Sequence, residues 1–217
     1  MSSEITKITK LNITESFLQV NFEKGYKYVD KAGQLVDSFY LGDIEPEFNM
    51  SSNGLILRHK EGVFEEVKIN PKNVWVHYKS PDTLDMIANN YLDILKRVCV
   101  TISADNFSRV GWRTYFVKEF NTQEDRDKVL QKFSLHKSLQ FKTGIFEGEV
   151  NNFSMNFFVS KVLVESGEDR GLLIDIDLYK KFEEKIELEK IELKIKDILA
   201  CYKSEALLEI INNVISK

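Results

Sequence analysis

Apolar and polar residues alternate at a period of two from Phe17 to Phe22, with Leu18, Val20 and Phe22 set against Phe17, Gln19 and Asn21. That period puts the two sets on opposite faces of a strand. The spacing then changes. Val29, Ala32, Leu35, Val36, Phe39 and Tyr40 recur at helical intervals up to Gly42, and Pro46 stops any continuation. Glu47–Met50, Leu55–His59, Phe64–Ile69 and Val74–Lys79 read as short strands, the last two joined across Asn70-Pro71-Lys72-Asn73, residue types that favour a tight turn. Ser80-Pro81-Asp82 predicts a helix start, with Ser80 as N-cap, Pro81 at the first helical position and Asp82 complementing the dipole. Leu84, Ile87, Ala88, Tyr91, Leu95 and Val98 give that helix one apolar stripe.

The pattern then starts again. Ser108–Phe120 reads as a long strand, and Thr122-Gln123-Glu124-Asp125 resembles a capping box ahead of a short helix carried by Val129, Leu130 and Phe133. Three strands follow, at Gly144–Val150, Ser154–Glu165 and Gly171–Tyr179, and a helical region fills Phe182–Ser216, with a break expected near Ser204. The element order is β-α-β4-α and then β-α-β3-α. The expected fold is α+β: antiparallel sheets with helices packed on one face, as two helix-grip or TBP-like halves covering residues 1–105 and 106–217 of one compact unit. Such sheets leave their other face free to meet something.

Composition narrows the class. Hydrophobic residues make up 43% of the 217 and aromatics 12%, enough for a core, and only three prolines and ten glycines interrupt the chain. No apolar run reaches membrane-span length, and Cys99 and Cys201 stand far apart in apolar surroundings, as buried reduced thiols do. A cytoplasmic protein without a membrane anchor is expected. The net charge of −4 argues against broad nucleic-acid binding, although Lys96–Lys142 carries ten Lys/Arg against five Asp/Glu and leaves −9 for the rest.

Two strands carry the candidate chemistry. In Leu172-Leu173-Ile174-Asp175-Ile176-Asp177-Leu178, alternation sends Asp175 and Asp177 to the face opposite Ile174 and Ile176. Two carboxylates on one face either share a divalent cation or pair with arginines across the sheet, and no third metal ligand is visible. In Arg109-Val110-Gly111-Trp112-Arg113, the two arginines point the same way with Gly111 leaving space between them. They suit clamping an anion or a partner carboxylate, and equally internal pairing with Asp175 and Asp177. His59, His77 and His136 are scattered, no Cys/His spacing fits zinc, and no nucleophile elbow, P-loop or dinucleotide motif is present. The balance leans against an enzyme, and no cofactor or metal is expected. The last helical stretch, with Glu187, Leu188, Ile191, Ile195, Ile198, Leu199 and Tyr202 at amphipathic spacing, is read as packed on its own sheet, with a partner-binding or dimerising helix as the alternative.

The N-terminal strand followed by a helix, the Arg109–Arg113 strand, and Ile174-Asp175-Ile176-Asp177 ahead of a terminal helix together resemble a sporadically distributed prokaryotic protein family of unknown function. The resemblance implies patchy inheritance, as with genes of mobile elements and anti-phage defence loci, and supplies no catalytic residues. The expected function is that of a non-enzymatic interaction protein, an accessory subunit or regulator of a larger prokaryotic assembly such as an anti-phage system. The expected partner is a protein, such as the product of a neighbouring gene, and a homodimer is compatible with the pattern. The alternatives are a weak nucleic-acid-binding module using a sheet face and the basic 96–142 segment, or a helix-grip ligand binder. Arg109, Arg113, Asp175 and Asp177 are the candidate binding residues.

Overall fold

A computed structural model describes residues 11–23, 25–59, 64–134, 141, 143–164 and 166–216. His136 and the basic residues Lys137 and Lys142 lie outside them. Strand β1 (Asn12–Glu23) is followed by a short 3-10 turn, helix α1 (Ala32–Ser38) and strands β2 (Glu47–Ser51), β3 (Gly54–Arg58), β4 (Glu66–Ile69) and β5 (Asn73–Lys79), then by helix α2 (Leu84–Ile102). Strand β6 (Asp105–Glu119), helix α3 (Gln123–Leu130), strands β7 (Thr143–Val150), β8 (Phe153–Val162) and β9 (Gly171–Ile186), and helices α4 (Leu188–Tyr202) and α5 (Glu205–Ile215) follow a similar order, with three strands in place of four and two closing helices in place of one.

The strands form a single antiparallel sheet of nine in the order β2-β3-β4-β5-β1-β6-β9-β8-β7. The two half-patterns therefore meet through their first strands: β1 lies against β6, with Leu18 opposite Trp112 and Phe17 opposite Arg113. This is the α+β architecture with antiparallel pairing that the alternation predicts.

One face is apolar and carries the helices. Leu18, Val20, Val76, Trp112, Ile174, Ile176 and Leu178 are all essentially inaccessible there. They share one buried cluster with Ile87, Tyr91 and Leu95 of α2 and Ile191, Ile195 and Ile198 of α4. α2 packs on β5, and α4 on β6 and β9, so the stripes read from the sequence face the sheet. Local chemistry fixes several corners. Asn70 Oδ1 accepts from the Lys72 and Asn73 amides at 2.9 and 3.0 Å, closing the expected turn. The Thr122 and Ser204 hydroxyls cap α3 and α5, the latter at the expected break.

Two expectations need correction. Ser80 is not the N-cap of α2: it sits at φ 46° with its amide bonded to the Thr14 carbonyl, and Thr83 takes the cap, its hydroxyl accepting from the Met86 amide at 3.1 Å. Thr and Ser offer the same acceptor, and the tether of Ser80 to β1 decides between them. Phe182 does not begin a helix either. β9 continues to Ile186 because β6 is 15 residues long and needs a partner along its whole edge, with Ile186 opposite Phe107.

Candidate functional site on the open sheet face

On strands β5, β1, β6, β9 and β8 the polar residues of each alternation face away from the helices. Register brings them into rows. Glu66, His77, Phe17, Arg113, Asp177 and Asn156 stand side by side in one row. The next row holds Lys68, Trp75, Gln19, Gly111, Tyr179 and Ser154. Tyr115, Asp175 and Phe158 form part of a third.

Aromatic rings occupy the centre. Phe17 stacks on His77 with centroids 4.4 Å apart and planes 8° from parallel, stacks on Trp75 at 5.5 Å, and meets Tyr115 edge-on at 5.4 Å. The guanidinium of Arg113 lies over both Tyr115 and Phe158, and that of Arg109 over Tyr179, at 5.1 to 5.5 Å from the ring centres. These are cation–π distances. Between rings and cations lies a depression of about 270 Å³ lined by Phe17, Gln19, Trp75, Arg109, Gly111, Arg113, Tyr115 and Asp177.

All four residues singled out from the sequence lie on this face, but they are not equivalent. Asp175 is buried and accepts two hydrogen bonds from Arg113, from Nε at 2.8 Å and from an Nη at 2.5 Å. That fork, the main cause, raises the Arg113 pKa above its ordinary value. Asp177 is held less closely: its nearest Arg109 nitrogen is 3.9 Å away and the Asn156 amide 3.5 Å. Burial raises the Asp177 pKa, and the two arginines only partly offset it. Arg109 folds back over Gly111, so that a methyl group at that position would stand 3.0 Å from the guanidinium nitrogens. The space that glycine leaves is therefore occupied by Arg109 itself.

A carboxylate with a raised folded-state pKa destabilises the fold at neutral pH, and that cost disappears once pH falls below the unfolded value near ~4. Asp177→Asn is accordingly expected to raise the unfolding midpoint at pH 7 and to lose that advantage in acid. Urea titrations at the two pH values check it, and a destabilised variant at pH 7 would show that the Arg109 and Arg113 contacts outweigh burial.

Phe17, Trp75, His77, Tyr115 and Phe158 were not singled out from the sequence. Each alternates with core residues along its strand, so its outward direction was readable. Its neighbours were not, because they come from strand order. Elsewhere the basic 96–142 segment breaks up: Lys96 pairs with Glu192, Arg97 with Asp93, Arg126 with Asp127 and Asp169, and Lys128 with Glu124. Both cysteines are free and buried, and burial pushes the Cys99 thiol up to about 12. Among the described residues no cluster of three or more His, Cys, Asp or Glu could hold a metal ion, and no helix is long and apolar enough to cross a membrane.

The fold and this face define an α+β protein with an open, aromatic-lined antiparallel sheet. Searches of protein-family models and of curated proteins find no match to the chain.

Proposed function

We propose that the protein is a non-enzymatic binding module that engages a protein partner through this open face, as an accessory subunit or regulator of a larger assembly. The observation that carries the reading is the convergence of Phe17, Trp75 and Tyr115 with two arginines around one depression. Trp, Tyr and Arg are the side chains that dominate protein interfaces, because they offer large rigid area with a polar handle. The charges favour a polypeptide over a polyanion. Arg58 pairs with Glu66, Arg113 with Asp175, and Arg109 lies beside Asp177, so a phosphate chain would meet cations already accompanied by carboxylates. The resemblance to a patchily inherited family supports a prokaryotic assembly such as an anti-phage system as the setting.

A second reading rests on the Phe17–Trp75–His77 ledge, since stacked rings on an open antiparallel sheet also receive unpaired bases. One experiment separates the two. The protein is cross-linked in its native host, the captured partner is purified, and its affinity is measured for the wild type, Trp75→Ala and Gly111→Ala. Both variants are expected to bind at least tenfold more weakly, a loss of about 1.4 kcal/mol, while remaining folded at the assay temperature. Gly111→Ala acts by evicting the Arg109 guanidinium, the flexible end of a side chain, rather than by straining the backbone. Single-stranded DNA and RNA at 0.15 M salt are expected to bind no better than ~10⁻⁵ M. Tight, salt-sensitive binding abolished by Trp75→Ala would install the second reading. Turnover with Mg²⁺ or Mn²⁺ that disappears in a stable Asp175→Asn/Asp177→Asn variant would overturn both.

A further inference from the structure

Seven of the twelve exposed large hydrophobic side chains among the described residues fall between Tyr26 and Met50, well away from the open-face depression. Two of them, Phe48 and Met50, lie on β2, which ends the sheet and pairs, among the described residues, with β3 alone. Phe48 and Met50 point to the helix side of the sheet, opposite the buried Leu57 and Leu55, yet are 55% and 43% exposed. Tyr40, and Leu41 and Ile44 of the bridged turn that precedes β2 in the chain, are exposed as well. A strand at the end of a sheet beside an unburied apolar row is a template for pairing with another strand, which natural proteins avoid leaving open.

We propose that β2 is a dimerisation edge, occupied by β2 of a second copy of this chain running antiparallel to it. The strand is self-complementary. Centring the pair on Asn49 sets Phe48 opposite Met50 of the second copy, twice, and Glu47 opposite Ser51 of the second copy, so no like charges meet. The helix layers of both copies then lie on one side of a continuous sheet, and the two-fold axis closes the assembly at two chains. The opposite edge is built differently. β7 also exposes Ile145 and Phe146, but it sets Glu147 and Glu149 on the face of Ile145 and carries glycines at 144 and 148, a charged and weakened pattern that discourages pairing. Pairing β2 with β7 of another copy would not close and would give fibres.

The test is the mass in solution measured across the micromolar range, by light scattering and sedimentation. The wild type is expected to rise from 25.2 kDa toward twice that value with concentration. Phe48→Lys/Met50→Lys sets ammonium groups opposite each other and is expected to weaken association roughly a hundredfold or more. Phe48→Glu/Met50→Lys sets each new carboxylate opposite a new ammonium in the Asn49-centred register, and is expected to restore the dimer. Circular dichroism and thermal unfolding confirm that both variants are folded. The proposal is overturned by a wild type that stays at 25.2 kDa throughout. A dimer that survives the double lysine variant overturns it too, as does a folded charge-swapped variant that associates no better than the double lysine one.

Discussion

Replacing Trp112 with alanine is expected to lower the unfolding free energy by about 4 kcal/mol, in the range for truncating a buried tryptophan. Trp112 sits on β6, where the two half-sheets join, and is wholly inaccessible. Its Nε1 donates to the Ser16 hydroxyl at 2.7 Å, and that hydroxyl lies 3.1 Å from the one on Thr114. Its ring lies 5.3 Å from that of Tyr202, whose hydroxyl reaches the Trp112 and Ile176 carbonyl oxygens at 2.8 Å each. Alanine would empty the space between β6 and α4 and remove the indole donor from a buried hydroxyl pair, so transfer, cavity and hydrogen-bond losses add. Trp112→Phe keeps most of the volume and should cost about 1–2 kcal/mol, chiefly for the lost donor. Trp75, the second of the chain's two tryptophans, is the internal control. It faces outward, half-buried and stacked on Phe17, and Trp75→Ala should cost about 1 kcal/mol, well short of the Trp112 loss. Urea unfolding followed by fluorescence reads both. A Trp112→Ala cost under about 2 kcal/mol would mean that the junction can collapse around the missing ring.

That contrast between the tryptophans was half legible in the sequence. Trp75 alternates with Val74 and Val76, and Trp112 with Gly111 and Arg113, so each could be set on a face. Which face of β6 was buried followed from Arg109 and Arg113 sharing the other. The directions of Asp175 and Asp177 came from the same rule, and the structure shows Ile174 and Ile176 inaccessible behind them. Strand order was not legible, because it is a long-range property. Nothing local says that β1 lies between β5 and β6, and only that order brings Phe17 beside His77, Trp75 and Arg113. The end of β9 was hidden for a related reason. Lys180–Glu184 has no apolar alternation of its own, and the edge of β6 holds it extended. Local caps did better. Thr122 and Ser204 carry the chemistry at the positions where it is needed, whereas Ser80 carries it three residues too early for α2.

The pair at the heart of the candidate site is expected to reveal itself in a double-mutant cycle. Asp175 is 4% exposed and accepts two hydrogen bonds from Arg113, whose side chain is 41% exposed. Arg113→Ala leaves a buried carboxylate without that fork. Breaking a fully buried pair costs about 3–5 kcal/mol, and solvent reaching the Arg113 side of this one reduces the expected loss to about 2 kcal/mol. Arg113→Met/Asp175→Leu removes both charges and should recover most of the loss, because two apolar side chains do not carry the desolvation cost of an ion pair. That double variant also tests function independently of stability. If it folds as well as the wild type and still binds the captured partner, Arg113 is a structural strut and recognition falls to Trp75, Phe17 and Arg109. If it folds and no longer binds, the Arg113 guanidinium, spread over Tyr115 and Phe158 and held flat by Asp175, is itself presented to the partner, and Asp175 is its positioning residue.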